Sequence, residues 1–126
     1  MTNNPRLLLV DDDALIRKTL GTMLRRDFDV TTAADGREAY DLIRDRDFDV
    51  ILSDFYLPGM TGKDLHGALS RDRPEMAARM VFMSGNVDDP RVRSFVDGLR
   101  HLQKTAGRDV LRGLLMDAVN ENGPVP

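Results

Sequence analysis

Short apolar runs alternate with amphipathic stretches along the whole chain. Leu7-Leu8-Leu9-Val10 is too short for a helix and ends in acids, so it predicts a buried strand. Leu15, Ile16, Thr19, Leu20, Met23 and Leu24 then recur at helical spacing. Phe28 to Thr32 predicts a weaker strand, and Gly36 to Arg46 a helix with Ala39, Leu42 and Ile43 facing inward. Phe48-Asp49-Val50-Ile51-Leu52 is a second strong strand, closed by the loop that Pro58-Gly59 forces. Leu65, Ala68 and Leu69 mark one face of a third helix. Met80-Val81-Phe82-Met83 is another strand, and Pro90 suits the first turn of a helix carrying Val92, Phe95 and Val96. Leu99 to Gln103 is a marginal last strand. Val110, Leu111, Leu114, Leu115, Ala118 and Val119 form a final helical stripe. Five strands alternating with five helices predict an α/β fold around a parallel sheet.

Composition narrows the chemistry. A chain of 126 residues allows one ordinary domain. With no cysteine, disulfides, thiolate zinc sites and thiol nucleophiles are excluded. Two histidines, His66 and His101, argue against an imidazole-built metal site. The net charge of −3 gives no field that draws nucleic acid or an anionic membrane, so neither is expected as a partner. No apolar run approaches the ~20 residues of a membrane span. Residues 1–5 are polar and unlike a signal peptide, so a cytoplasmic location is expected. Residues 122–126 read as a tail or linker. Asp accounts for 18 of the 21 acids while Arg far outnumbers Lys, which points to a compositional bias. A single Asp therefore gains meaning only from its position.

Position singles out a few. In open parallel sheets, sites gather at the carboxyl ends of strands near a switch in strand order. The first strand ends in Asp11-Asp12-Asp13, the third in Ser53-Asp54, the fourth in Ser84 and the last at Lys104. Carboxylates so placed repel unless a hard divalent cation compensates, and Mg²⁺ takes one or two of them while keeping waters. A cation, an ammonium and a hydroxyl around one carboxylate make a receptor for a phosphoryl group. The carboxylate can itself be the nucleophile and become an acyl phosphate. Simpler roles compete: Asp13 reads as a helix N-cap, Asp88-Asp89-Pro90 as a loop and cap, and His66 as a solvated helix residue. The seven Met residues read as core filler.

These segments resemble the receiver domain of two-component response regulators. The likeness rests on Leu9-Val10-Asp11-Asp12, Asp54 with Leu57-Pro58-Gly59-Met60-Thr61-Gly62, Met83-Ser84-Gly85, and Lys104, and covers about residues 6–121. It implies a flavodoxin-like, doubly wound sheet of five parallel strands in the order 2-1-3-4-5. It implies Asp54 as phosphoacceptor. Asp12 would be a direct Mg²⁺ ligand, Asp11 a ligand through water, and the Tyr56 main-chain carbonyl a third protein ligand. Ser84 would meet the phosphoryl oxygens after transfer, and Lys104 would pair with the acceptor and then the phosphate. Gly62 matches the turn glycine that opens the third helix. The implied donor is a phosphohistidine on a histidine kinase or histidine phosphotransfer domain. The protein would be a phosphoacceptor that assists its own reaction and not an enzyme in the usual sense, acting on an unnamed downstream effector.

Three positions depart from that pattern. Thr105 follows Lys104 where the family has proline in a cis bond. A cis bond before a non-proline residue costs about 2.5–4 kcal/mol, so a trans bond or a remodelled loop is expected. His101 occupies the aromatic switch position, and the stretch from Ser84 to Lys104 is about two residues short, so the fourth helix is expected to be short or irregular. Tyr56 and Asn86 occupy the positions that modulate loss of phosphate in the family, and the bulk of Tyr56 is expected to prolong the acyl phosphate. The rival reading is a pseudo-receiver, a binding module that signals without phosphate. An aspartyl phosphatase would want Asp where Tyr56 stands, and three aspartates would repel the phosphate of a flavin nucleotide.

Overall fold

The computed structural model describes residues 4–85, 89–96, 99–103 and 107–122. Five parallel strands run β1 (Arg6–Val10), β2 (Asp29–Ala33), β3 (Val50–Asp54), β4 (Met80–Ser84) and β5 (His101–Gln103). They lie in the order β2-β1-β3-β4-β5, so the order reverses between β1 and β3. Leu7 pairs with Val50, Ile51 with Met80 and Phe82 with His101. Around them pack α1 (Ala14–Leu24), α2 (Gly36–Asp45), α3 (Gly62–Asp72), α4 (Pro74–Ala77), α5 (Pro90–Val96) and α6 (Arg108–Asn122). The order of the sheet agrees with the expectation. Among the described residues the helices number six, because a single turn at α4, begun by Pro74 at its first position, sits between α3 and β4.

Alternate residues of the central strands feed two cores. Leu8, Val10, Ile51 and Phe82 pack with Ala39, Ile43, Leu65, Leu69 and Val92 beneath α2, α3 and α5. Leu7, Leu9, Leu52, Val81 and Met83 pack on the other face with Leu24 of α1, Phe28 in the turn after it, and Leu111, Leu115 and Ala118 of α6. Both faces of β1, β3 and β4 are thus covered, which is why those strands read as continuous apolar runs.

Some boundaries move. Phe28 precedes β2, its N–H bonded to the Leu24 carbonyl at 2.9 Å, so it closes α1 and does not open the strand. Asp49 precedes β3, where its carboxylate accepts the Arg6 N–H at 2.8 Å. Leu15, Thr19 and Val110, read as parts of apolar stripes, are exposed. Among the described residues no helix is long and apolar enough to cross a membrane.

Candidate functional site

The carboxyl edge of the sheet collects the acids at the strand-order switch. Asp11 follows β1 directly and is fully buried. Its N–H reaches the Ala33 carbonyl at 3.2 Å, extending the strand pairing by one residue. Asp11 Oδ1 accepts the Asp13 N–H at 2.9 Å, and Arg17 Nη1 donates to the Asp11 carbonyl at 2.7 Å. Asp13 turns the chain into α1 as its N-cap, accepting from the N–H groups of Leu15 and Ile16 at 2.9 and 3.3 Å. That is the role its position predicted. Asp12, between them, is exposed.

Asp54 is the last residue of β3 and is only 4% exposed. Its Oδ1 accepts the Tyr56 N–H at 3.3 Å. One carboxylate oxygen each from Asp11, Asp12 and Asp54 lie within 4.8 Å of one another. Such a group of hard oxygen donors, two of them withdrawn from water, suits a hard divalent cation and is costly without a compensating charge. Ser84, buried at the end of β4, completes the edge on the other side of Asp54, since Asp54 pairs with Met83.

The backbone beneath Asp54 is tightly specified. Phe55 N–H bonds to the Met83 carbonyl at 3.0 Å, and Gly62 N–H to the Phe55 carbonyl at 3.0 Å. A Cβ at Gly62 would lie 2.5 Å from the Asp54 carbonyl oxygen, so the first residue of α3 must be glycine for the helix to come this close. A Cβ at Gly36 would lie 2.3 Å from the Met60 carbonyl oxygen, which brings the start of α2 against the same loop. Gly59 turns that loop with φ +72°. Thr61 and Asp64 form a reciprocal capping box at 3.1 Å each way.

Tyr56 is half exposed and reaches across the mouth. Its hydroxyl donates to Asp89 Oδ2 at 2.6 Å, and Arg91 Nη2 reaches the same oxygen at 3.1 Å. The Arg91 guanidinium and then the Tyr56 hydroxyl hold the Asp89 carboxyl down to about 2. Reciprocally, the bond to Asp89 raises the Tyr56 phenol above its ordinary value. Asp89 also accepts the Arg91 N–H at 2.9 Å while its carbonyl accepts from Arg93 at 2.9 Å, so it caps α5 as expected.

The sequence thus placed Asp11, Asp12, Asp54 and Ser84 on one edge, and the structure brings the three carboxylates together. The bridge from Tyr56 to Asp89 and Arg91 was not foreseen, because the partners stand 33 residues apart and no periodicity relates them. Gly36 was missed as well; the Asp-Gly pair opening a helix was its only signal. His101 is exposed at the start of β5, with Nδ1 2.8 Å from the Leu99 carbonyl. His66 is not a solvated residue. It is half-buried, its ring centroid 5.9 Å from that of Phe82, and burial lowers its pKa. Lys104, Thr105, Asn86 and Asp88 lie outside the described residues.

Comparison with known proteins agrees with this geometry. The family model for the response regulator receiver domain matches residues 7–115. The transcriptional regulatory protein GlrR of Escherichia coli is 28% identical over 126 residues, covering 98% of this chain and 28% of that protein. The DNA-binding response regulator MtrA of Mycobacterium tuberculosis is 39% identical over 88 residues, covering 69% of this chain and 39% of that protein. The chain therefore spans well under half the length of these curated relatives. Among solved structures, a CheY-like receiver domain protein from Methanospirillum hungatei superposes with a TM-score of 0.85 at 24% identity, covering 95% of this chain and 97% of that one. The Vibrio cholerae chemotaxis protein CheY4 superposes with a TM-score of 0.81 at 27% identity, covering 91% and 98%. The matched span includes every carboxylate of the cluster at the strand-order switch, and the chain belongs to the response regulator receiver domains.

Proposed function

We propose that this receiver domain accepts a phosphoryl group on Asp54 from a phosphohistidine of a histidine kinase or histidine phosphotransfer domain. The observation that carries the reading is the buried Asp54 carboxylate within 4.8 Å of those of Asp11 and Asp12. A buried carboxylate held at a strand end beside two others is poised for chemistry. An Asp54 oxygen forms the new P–O bond as the P–N bond to the donor imidazole breaks, and the departing imidazole takes up a proton. Asp12, Asp54 and the Tyr56 carbonyl would hold Mg²⁺ directly, with Asp11 acting through water. Bound there, the ion offsets negative charge on the phosphoryl oxygens. The Ser84 hydroxyl would donate to one of those oxygens, and the Lys104 ammonium would pair with another. Water later attacks the acyl phosphate and returns Asp54. The domain acts in the cytoplasm on an effector whose identity lies outside this chain's chemistry.

The test is labelling of the whole chain by acetyl phosphate, read by intact mass. One phosphoryl group that requires Mg²⁺ and is absent from Asp54→Ala is the expected result. No label on folded protein would overturn this reading in favour of a phosphate-independent binding module.

A further inference from the structure

Tyr56 and Asp89 join the two loops that flank the β3–β4 side of the acidic edge. Tyr56 leaves β3 two residues after the acceptor, its N–H still on Asp54 Oδ1. Asp89 lies five residues after Ser84 and caps α5. Its side chain is 15% exposed although its partner Arg91 is 80% exposed. Besides the 2.6 Å bond from the Tyr56 hydroxyl, it receives the Arg91 N–H, Nη2 and Nε at 2.9, 3.1 and 3.4 Å. The guanidinium carbon of Arg91 stands 5.9 Å from the Tyr56 ring centroid, so the three side chains close a triangle.

Capping accounts for the Arg91 N–H on Asp89 and leaves the phenol unexplained. A tyrosine hydroxyl at a loop surface is well served by water. Ordering it against a second loop costs entropy that only a charge-assisted hydrogen bond offsets. Because Asp54 pairs with Met83, Ser84 ends its strand beside the acceptor. The bridge therefore spans the side of the site where a phosphoryl group would sit against Ser84. Asp11 and Asp12 stand on the opposite, β1 side.

We infer that Asp89 is a positioning residue for the reaction at Asp54: it holds the Tyr56 ring across the β3–β4 side of the mouth, and this bridge opens before a donor or water reaches the acceptor. The inference rests on the phosphoacceptor reading and assigns to Asp89 control over both gain and loss of phosphate. Tyr56→Phe deletes the hydroxyl and keeps the ring. Asp89→Ser keeps a capping oxygen and loses the reach. Asp89→Asn keeps both the cap and an acceptor for the phenol.

The experiment follows labelling by acetyl phosphate with Mg²⁺, and decay after donor removal, by intact mass. Tyr56→Phe and Asp89→Ser each raise both rates roughly three- to tenfold, the shift that the net loss of one ordinary hydrogen bond gives. The double variant goes no further than either single one, and Asp89→Asn stays within about twofold of wild type. Unchanged rates in Tyr56→Phe, or additive effects in the double variant, overturn the inference. Deuterium exchange supplies a readout that needs no phosphate: amides of residues 91–96 exchange faster in Tyr56→Phe than in wild type. If wild type takes no label at all, the phosphoacceptor reading fails on its own, and unchanged exchange in Tyr56→Phe removes the bridge independently.

Discussion

Gly62 cannot carry a side chain without moving the backbone of Asp54. The Cβ of an alanine would meet the Asp54 carbonyl oxygen at 2.5 Å and the Phe55 Cα at 3.2 Å, both main-chain atoms with no rotamer to yield. Overpacking of this kind costs about 1–3 kcal/mol. Gly62→Ala is therefore expected to lower stability by about that amount in urea denaturation and to slow labelling of Asp54 as well, since the strain falls on the residue that carries it. Gly67, on the same helix, has open space where a Cβ would go, and Gly67→Ala is the matched control, expected to be neutral or stabilising. At this scale the sequence was informative wherever one residue's role is dictated by its place on a strand. Asp11, Asp12, Asp54 and Ser84 each follow or end an apolar run, so a rule about strand ends found them. Asp13 and Asp89 were legible as caps for the same local reason. What Tyr56 does with Asp89 was not legible, because a hydroxyl-to-carboxylate bond between two loops leaves no periodic trace.

Between elements, Arg73 shows how one side chain holds a corner together. Its N–H bonds to the Leu69 carbonyl at 2.7 Å, closing α3. Its guanidinium donates to the Ile43 carbonyl at 2.6 Å and the Arg46 carbonyl at 3.1 Å, where α2 ends with unpaired carbonyls. The same group reaches Asp47 at 2.5 Å and Glu75 at 3.0 Å. A cation at a helix C-terminus also meets the negative end of its dipole. Arg73→Ala is expected to destabilise the domain by about 2–3 kcal/mol, the scale of hydrogen bonds to charged groups. Arg73→Lys recovers less than half of that loss, because an ammonium cannot span two carbonyls and a carboxylate at once. Arg73 stands near the amino end of β3, opposite the acidic edge, so labelling of Asp54 in folded Arg73→Ala protein stays at the wild-type rate. Denaturation and labelling measured on the same preparations check both halves. Such corners explain the limits of pattern reading. The strands buried on both faces were found because burial writes a continuous apolar run. The turn at α4 was missed because four residues carry too little periodicity, although Pro74 marked its start. Phe48 and Phe28 were taken into neighbouring strands because an aromatic at a strand entrance packs in the same core as the strand itself.

On the scale of the whole molecule, the buried face of α3 couples stability to pH through His66. The imidazole is half-buried, with Phe82 of β4 5.9 Å away, ring to ring, and burial lowers its pKa from the ordinary 6.5. It lines a cavity of about 410 Å³ with Met80, Leu99, Arg100 and Glu121, the last two joined as an ion pair. The sign follows from counting protons. Above pH ~6.5 the histidine is neutral in both the folded and the unfolded chain and favours neither. As pH falls below that value, the unfolded chain binds a proton that the folded one resists, so stability drops until the depressed folded pKa is passed. The expected outcome is a melting temperature that falls between pH 7 and pH 5.5 in the wild type, and falls less in His66→Gln. Gln is similar in size and does not titrate, so the two proteins should differ in slope even if they differ in absolute stability. Equal slopes would place the pH dependence on other groups. Every other titratable group, the nearby Arg100–Glu121 pair included, is present in both proteins, so the difference between slopes isolates the imidazole. His66 sits on α3 at the edge of the face formed by Leu65, Ala68 and Leu69, and the sequence alone reads it as a solvated helix residue. Only the packing of α3 against β4 shows that the edge is covered, and with it that protonation and folding compete in the same side chain.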